Sequence, residues 1–175
     1  MRLFIAINFQ DEIKVKLIET QDLLKKYALR GNFTSPENLH LTLVFLGEVA
    51  GSRVREVENV MDEVNVKPFT INISGIGSFK RDKGDLLWAG IEKNKSLSQI
   101  HRQLSEGLDS AGFSVEKRAF SPHLTLARNV VLPEGADNLP LSCHEYSVYV
   151  KKISLMKSEL CGPKPVYTGL YEKEL

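Results

Sequence analysis

The hydrophobic positions of this chain follow two periods, which predicts a mixture of strands and helices. Short apolar runs bounded by Gly, Pro or Asn predict strands, and apolar residues recurring every three or four positions predict amphipathic helices. One predicted helix begins at Asp11 and ends by Gly31, and a second spans about 52–64. A third follows an apolar stripe that ends at Gly112, its predicted C-terminal cap. The predicted strands are 3–9, 39–46, 69–79, 86–91, 120–130, 146–158 and 166–171.

The order of these elements predicts an α+β fold. Strands and helices interleave, but the charged turn 80–84 joins two strands as a hairpin, which argues against a purely parallel sheet. A weak internal repeat aligns FTSPENLHLTL with AFSPHLTL, where a Phe and a Pro precede the same tetrapeptide. We therefore expect one domain over 1–175, bilobal and pseudo-twofold, with two intertwined lobes that each supply one repeated strand to a central cleft.

The repeated tetrapeptide His-Leu-Thr-Leu is the main candidate for chemistry. Side chains two apart in a strand share a face, so His40 lies beside Thr42 and His123 beside Thr125, while the leucines face the core. Two imidazoles and two hydroxyls in one pocket supply an acid, a base and hydrogen-bond donors for an anion. This inventory suits the opening of a cyclic phosphodiester by water, with the threonines holding the non-bridging oxygens.

Other ligand-type residues are less informative. A lone histidine in a strand is usually structural, but two of the four histidines occur in the same tetrapeptide, which favours a catalytic role for that pair. The other two, His101 and His144, are expected to be structural. A hydroxyl is a poor zinc ligand, and no carboxylate or thiol lies at ligand spacing near either motif, so we expect neither a metal nor a cofactor. Cys143 and Cys161 form no CxxC pair and are expected to be reduced, buried thiols.

Composition narrows the class of protein. The chain has 42% hydrophobic and 26% charged residues, as ordinary globular proteins do. Its 23 Lys and Arg balance 22 Asp and Glu, so any contact with nucleic acid is expected to be local. The first apolar run is short and followed by charge, which predicts neither a signal peptide nor a membrane span and favours a cytoplasmic protein.

The two motifs, in PENLHLTLVFLGEV and RAFSPHLTLAR, resemble the paired His-x-Thr motifs of the 2H phosphoesterase superfamily. With the N-terminal LFIAI strand, the chain is similar to bacterial and archaeal RNA 2′,3′-cyclic phosphodiesterases, also called 2′-5′ RNA ligases. The resemblance implies two lobes, each a mainly antiparallel sheet with helices on its outer face, and a cleft that holds both motifs. It implies hydrolysis of RNA 2′,3′-cyclic phosphate ends, such as those of tRNA halves, to 2′-phosphates, and we expect the enzyme to be a monomer.

The resemblance also implies roles for individual residues. His40 would be the acid toward the leaving 3′-oxygen and His123 the base for water, although the two roles are interchangeable, and both threonines would bind phosphate. Arg128 matches a phosphate-contacting position, but simple alternation puts it on the leucine face, so its participation requires an end, twist or bulge after Leu126. Arg118 is similarly placed, or is a solvent-facing charge in the sequence EKR.

Four questions stay open at the level of sequence: ligation, the size of the substrate, catalysis itself and the residue that stacks on a base. The reverse reaction would form a 2′,5′ linkage. The substrate could instead be a small nucleotide such as an ADP-ribose cyclic phosphate, and a non-catalytic RNA-binding domain is a further alternative. The aromatic residues that stack on RNA bases in other proteins are equally suited to the core here, so Phe9, Phe45 and Trp88 are not assigned.

Overall fold

The computed structural model describes residues 1–133, 145–162 and 164–175, so the expectations for Cys143 and His144 lie outside the described residues. Short 3-10 turns lie at Pro36–Asn38 and Gly51–Arg53. The helices are α1 (Asp11–Tyr27), α2 (Val54–Asp62) and α3 (Lys95–Ser110). The strands are β1 (Arg2–Asn8), β2 (Arg30–Phe33), β3 (His40–Glu48), β4 (Phe69–Phe79), β5 (Asp85–Ile91), β6 (His123–Val131), β7 (Tyr146–Val150), β8 (Lys152–Cys161) and β9 (Lys164–Glu174).

The strands form two antiparallel sheets, which confirms the α+β class. The first sheet has the order β3-β1-β8-β9 and the second the order β2-β6-β5-β4-β7. The chain passes repeatedly between the sheets, because β1 and β3 lie in the first whereas β2 lies in the second. The sheets adjoin along β3 and β6, the two strands that begin with the repeated motif. The fold therefore brings both motifs to the junction of the two lobes.

Apolar residues from both sheets meet in one continuous core. In β1, Leu3, Ile5 and Ile7 alternate with residues of the other face and are almost fully buried. The helices add one stripe each, and the α3 stripe is buried as predicted from its spacing: Leu97, Ile100, Leu104, Leu108. The other face of the first sheet carries a smaller cluster of Phe4, Ala6 and Met156. The core thus fixes the motif strands and leaves their second face for the cleft.

Two predicted elements were wrong in their extent. The predicted strand 146–158 is two strands, β7 in the second sheet and β8 in the first. Its buried positions change phase, from Tyr146, Val148 and Val150 to Ile153 and Leu155, because the chain changes sheets at Lys151. Apolar residues continue on both sides of this step, so the break is hard to see in the sequence.

The first helix ends at Tyr27, before Gly31, and residues 30–33 form the edge strand β2 against β6. The sequence Arg-Gly-Asn-Phe has little β propensity, so pairing with β6 decides its conformation. The expectation of a buried Cys161 was also wrong: β8 runs past the core at its end, and this free cysteine is exposed. None of the helices in the described ranges is long and apolar enough for a membrane crossing.

Candidate active site

His40 is the first residue of β3 and is held by its own strand. Its Nδ1 lies 2.7 Å from the carbonyl oxygen of Asn38, which only accepts, so Nδ1 donates the proton of the neutral ring. Nε2 then lies 3.0 Å from the hydroxyl of Thr42. This contact confirms that His40 and Thr42 share one face, and in this tautomer Nε2 accepts from the Thr42 hydroxyl.

Aromatic rings surround the His40 imidazole on the cleft face. The Phe4 ring lies 4.8 Å from it and the Tyr167 ring meets it edge-on at 5.3 Å. Burial is the main cause that lowers the pKa of His40 from 6.5 to about 4; the Asn38 carbonyl raises it, and the positive charge of Arg128 lowers it further. His40 is therefore neutral at pH 7 when the site is empty.

His123 begins β6 in the same way. Its Nδ1 lies 2.8 Å from the carbonyl oxygen of Ser121, again two residues earlier, so Nδ1 donates and the neutral ring has the same tautomer as that of His40. Phe79 meets the ring edge-on at 5.2 Å, and the Trp88 ring lies 6.2 Å away. Trp88 is directly opposite Thr125 in the paired strand, so Thr125 lies on the face that carries Trp88 and His123.

A β-bulge decides where Arg128 points. Trp88 pairs with Thr125 and Leu87 pairs with Ala127, so Leu126 is an extra residue in β6. Leu126 and Ala127 are both fully buried, and the next residue, Arg128, is exposed. The bulge shifts the alternation by one residue and brings Arg128 to the face of His123. This is the irregularity after Leu126 that the sequence pattern requires for a role of Arg128.

The bulge is anchored by specific contacts. The Gln21 amide, buried in α1, donates to the carbonyl oxygens of Leu126 and Thr34, both at 2.8 Å, and the Thr34 backbone N–H donates to Leu126 at 2.9 Å. Just beyond, Asn129 has a left-handed φ of 54°, and a Cβ at Gly84 would lie 2.6 Å from the Asn129 backbone. The irregularity is therefore held in place from two sides.

The first motif strand contains the same irregularity. Ile5 pairs with Val44 and Ala6 with Thr42, so Leu43 is an extra residue in β3. The shift brings Phe45 to the His40 face, at the position equivalent to Arg128, and this ring is 42% exposed. Sequence reasoning left Phe45 unassigned, although its place five residues after the motif histidine, like that of Arg128, was a usable signal.

The remaining candidates lie elsewhere. Arg118 is exposed and pairs with Glu116, which favours the solvent-facing alternative. His101 bonds through Nδ1 to the Leu43 carbonyl at 2.9 Å and stacks on Phe120 at 4.0 Å, which confirms its structural role. Phe9 is a core residue.

The site contains acid–base and hydroxyl groups rather than a set of metal ligands. Within residues 1–133, 145–162 and 164–175, His, Cys, Asp and Glu form no group of three that could hold a metal ion. The two adjoining strands β3 and β6 carry two imidazoles whose Nδ1 atoms are held by backbone carbonyls, two threonine hydroxyls and one guanidinium. This set is suited to binding an anion and transferring protons to and from it.

Known proteins are similar to this chain in sequence and in fold. The family model described as the 2′-5′ RNA ligase superfamily matches residues 18–159. The chain is 33% identical over 179 residues to the RNA 2′,3′-cyclic phosphodiesterase of Methanothermobacter thermautotrophicus, covering 97% of this chain and 96% of the relative. It is 33% identical over 177 residues to the protein of that name from Thermotoga maritima, with 98% and 94% covered.

A solved structure agrees with the sequence relatives. The crystal structure of Escherichia coli LigT complexed with 3′-AMP matches with a TM-score of 0.85 and 27% identity, covering 99% of this chain and 97% of that chain. The match extends over both sheets, and the paired motifs lie at their junction. The chain therefore belongs to the 2′-5′ RNA ligase superfamily of 2H phosphoesterases.

Proposed function

We propose that this protein hydrolyses RNA 2′,3′-cyclic phosphodiester ends to 2′-phosphomonoester ends by acid–base catalysis that requires no metal. One observation carries the proposal: strands of two different sheets present the same His-x-Thr arrangement at the junction of those sheets. Relatives that cover nearly the full chain bear the name RNA 2′,3′-cyclic phosphodiesterase, which supports the same substrate class. Family membership and local chemistry thus point to one reaction.

The proposed reaction is a single displacement at phosphorus. His123 Nε2 takes a proton from water, the water oxygen bonds to phosphorus, and the bond to the ribose 3′-oxygen breaks. His40 donates a proton to that 3′-oxygen, so the product carries a 2′-phosphate. The Thr42 and Thr125 hydroxyls and the Arg128 guanidinium hold the non-bridging oxygens as negative charge accumulates on them.

The acid role of His40 depends on the substrate. With a pKa of about 4, the ring is neutral in the empty site at pH 7. A cyclic phosphodiester carries one negative charge, and its binding beside Nε2 offsets the positive charge of Arg128 and favours the imidazolium. Substrate binding therefore raises the pKa of His40 and prepares the acid. If this rise does not occur, His40 has the protonation state of a base, and the two histidines exchange roles.

Phe45 supplies a surface for the terminal base. Its exposed ring lies on the same face of β3 as His40 and Thr42. Proteins that bind single-stranded RNA commonly stack unpaired bases on such rings. A base on Phe45 would orient the terminal ribose toward the two histidines.

The finer features of the substrate and setting are part of the same proposal. One chain supplies both motifs, so a monomer has a complete site. RNA fragments with cyclic phosphate ends, including tRNA halves, are the proposed partners, and the cytoplasm is the proposed compartment because those fragments would be processed there. If the 5′-hydroxyl of a second RNA replaced water in the same step, its oxygen would bond to phosphorus, the bond to the 3′-oxygen would break, and the two RNAs would be joined through a 2′,5′ linkage.

The test is the product formed from a short RNA with a 2′,3′-cyclic phosphate end, incubated with the protein in excess EDTA. A phosphatase that removes terminal phosphates and comparison with synthetic 2′- and 3′-phosphate standards identify the product. We expect a 2′-phosphate at a rate that EDTA leaves unchanged. A 3′-phosphate product, or activity abolished by chelation, would contradict the proposal.

A further inference from the structure

A recess of about 970 Å³ opens beside His123. Its wall includes Ser121 and Pro122, which immediately precede the histidine, and Ser121 is the residue whose carbonyl binds the His123 ring. Gly90, also in the wall, is directly opposite His123 in the paired strand β5. The recess therefore adjoins the start of β6, where His123 lies, and its volume is at the upper end of the range of about 300–1,000 Å³ for ligand pockets.

The charged residues that line this recess all carry positive charge. Lys93, Lys95 and Arg102 are exposed in its wall, and no ion pair within the described ranges involves any of them. Glu92 lies in this stretch of sequence, but its carboxylate accepts from Asn72 and lines a different recess. Because the whole chain has a formal net charge of only +1, this positive lining is a local feature.

Aromatic rings also line the recess. Phe120 is stacked on His101, with ring centroids 4.0 Å apart and planes 7° from parallel, and the ring is thereby held rigidly. Trp88 reaches from the recess to the neighbourhood of His123. Positive side chains beside rigid aromatic rings form the arrangement that binds single-stranded nucleic acid, through phosphate contacts and base stacking.

We propose that this recess binds the RNA strand on the 5′ side of the terminal nucleotide, so that the enzyme prefers an oligonucleotide to a free cyclic mononucleotide. The inference rests on the proposed function, because the terminal cyclic phosphate must lie between the two motifs for the strand to enter here. Lys93, Lys95 and Arg102 bind upstream phosphates, and the aromatic rings contact upstream bases. A small cyclic nucleotide would leave this recess unused.

The experiment compares two substrates that share a terminal group: adenosine 2′,3′-cyclic phosphate and a hexanucleotide that ends in it. The variant Lys93→Ala/Lys95→Ala/Arg102→Ala removes the positive lining. The control Lys26→Ala/Lys67→Ala/Arg55→Ala removes the same charges from exposed positions that do not line the recess. Both variants and the wild type are assayed for kcat and KM at several salt concentrations.

We expect the wild type to have a KM for the hexanucleotide at least about tenfold below that for the mononucleotide. In the recess variant the hexanucleotide KM should rise about tenfold, while mononucleotide kcat and KM stay within about twofold. The salt dependence of hexanucleotide binding should weaken by about 2 in the slope of log K against log salt, because three phosphate contacts are lost. The control variant should behave as the wild type.

Three results would overturn the inference: equal KM values for the two substrates in the wild type, an unchanged hexanucleotide KM in the recess variant, or the same loss in the control variant. Fluorescence anisotropy with a labelled hexanucleotide that ends in a 2′-phosphate measures the same contacts without turnover. If the wild type hydrolyses neither substrate, the proposed function fails. The anisotropy difference between the two variants then still decides whether the recess binds RNA.

Discussion

Arg128 lies close enough to His40 for its positive charge to lower the pKa of that imidazole, although the two residues belong to strands of different sheets. This proximity arises because a bulge at Leu126 turns Arg128 away from the core, and because β3 and β6 adjoin. In the empty site burial keeps His40 neutral, and this positive charge adds to the effect. Under the proposed function the same guanidinium would bind the phosphate of the substrate.

Arg128→Ala is expected to lower kcat by about 10² to 10³, as does the loss of one donor that stabilises charge in a transition state. Arg128→Lys should restore only part of the rate, because an ammonium lacks the planar fork that binds two phosphate oxygens. Steady-state kinetics on the cyclic-phosphate hexanucleotide measure both variants. Arg55→Ala is the matched control, since Arg55 is exposed on α2. Arg128 would have no catalytic role if its removal affected activity no more than that of Arg55.

Binding of a product analogue should raise the pKa of His40. In the free protein the pKa is about 4, so the ring is neutral at pH 6. Adenosine 2′-phosphate adds negative charge beside Nε2 and should shift the titration to higher pH. NMR titration of the His40 ring, assigned with a His40→Gln variant, measures the change. A bound-state pKa that stays near 4 would assign the role of base to His40 and that of acid to His123.

His40 should also make the fold sensitive to acid. Its folded-state pKa of about 4 lies below the ordinary value of 6.5, so between these values the unfolded chain binds more protons. The stabilisation from the neutral ring is complete above pH 6.5 and is lost as pH falls toward 4, by about 3 kcal/mol at most. Urea unfolding at pH 7 and pH 4.5 should show a smaller loss for His40→Gln than for the wild type. Equal losses in the two proteins would show that the ring is not desolvated.

Gln21→Met tests the anchor of the bulge. Methionine fills a similar volume but removes the amide that donates to Leu126 and Thr34, so we expect a loss of about 1–3 kcal/mol in the free energy of unfolding. Activity should also fall, because Arg128 depends on the bulge for its direction. Gln103→Met is the control, since Gln103 contacts the exposed backbone N–H of Asn65, and it should change stability by less than about 0.5 kcal/mol. Full activity in Gln21→Met would show that catalysis does not depend on this anchor.

The sequence was sufficient for the parts of the site that depend on local alternation. His40 and Thr42 share a face because nothing interrupts β3 between them, and the stripe of α3 is buried for an equally local reason. The direction of Arg128 could not be predicted, because a bulge is defined by the pairing of two strands and β5 lies far from β6 in sequence. The same limit applies to Phe45, whose bulge depends on the register with β1.

Sheet membership was the other missing information. β7 and β8 follow each other with a single residue between them, yet they belong to different sheets. The residues of β2 form a strand only because β6 offers them an edge. Both outcomes are set by contacts between distant segments, which a hydrophobic pattern along the chain does not contain.

The double variant His40→Ala/His123→Ala, compared with the two single variants, tests the central claim most directly. Each single change should lower kcat for the cyclic-phosphate RNA by about 10² to 10⁴, the usual contribution of one proton transfer. The double variant should be no more than about tenfold slower than the slower single variant, because acid and base act in one step and their losses do not multiply. Circular dichroism verifies the fold of each protein. A single variant with the wild-type rate, or losses that multiply in the double variant, would contradict a shared acid–base site.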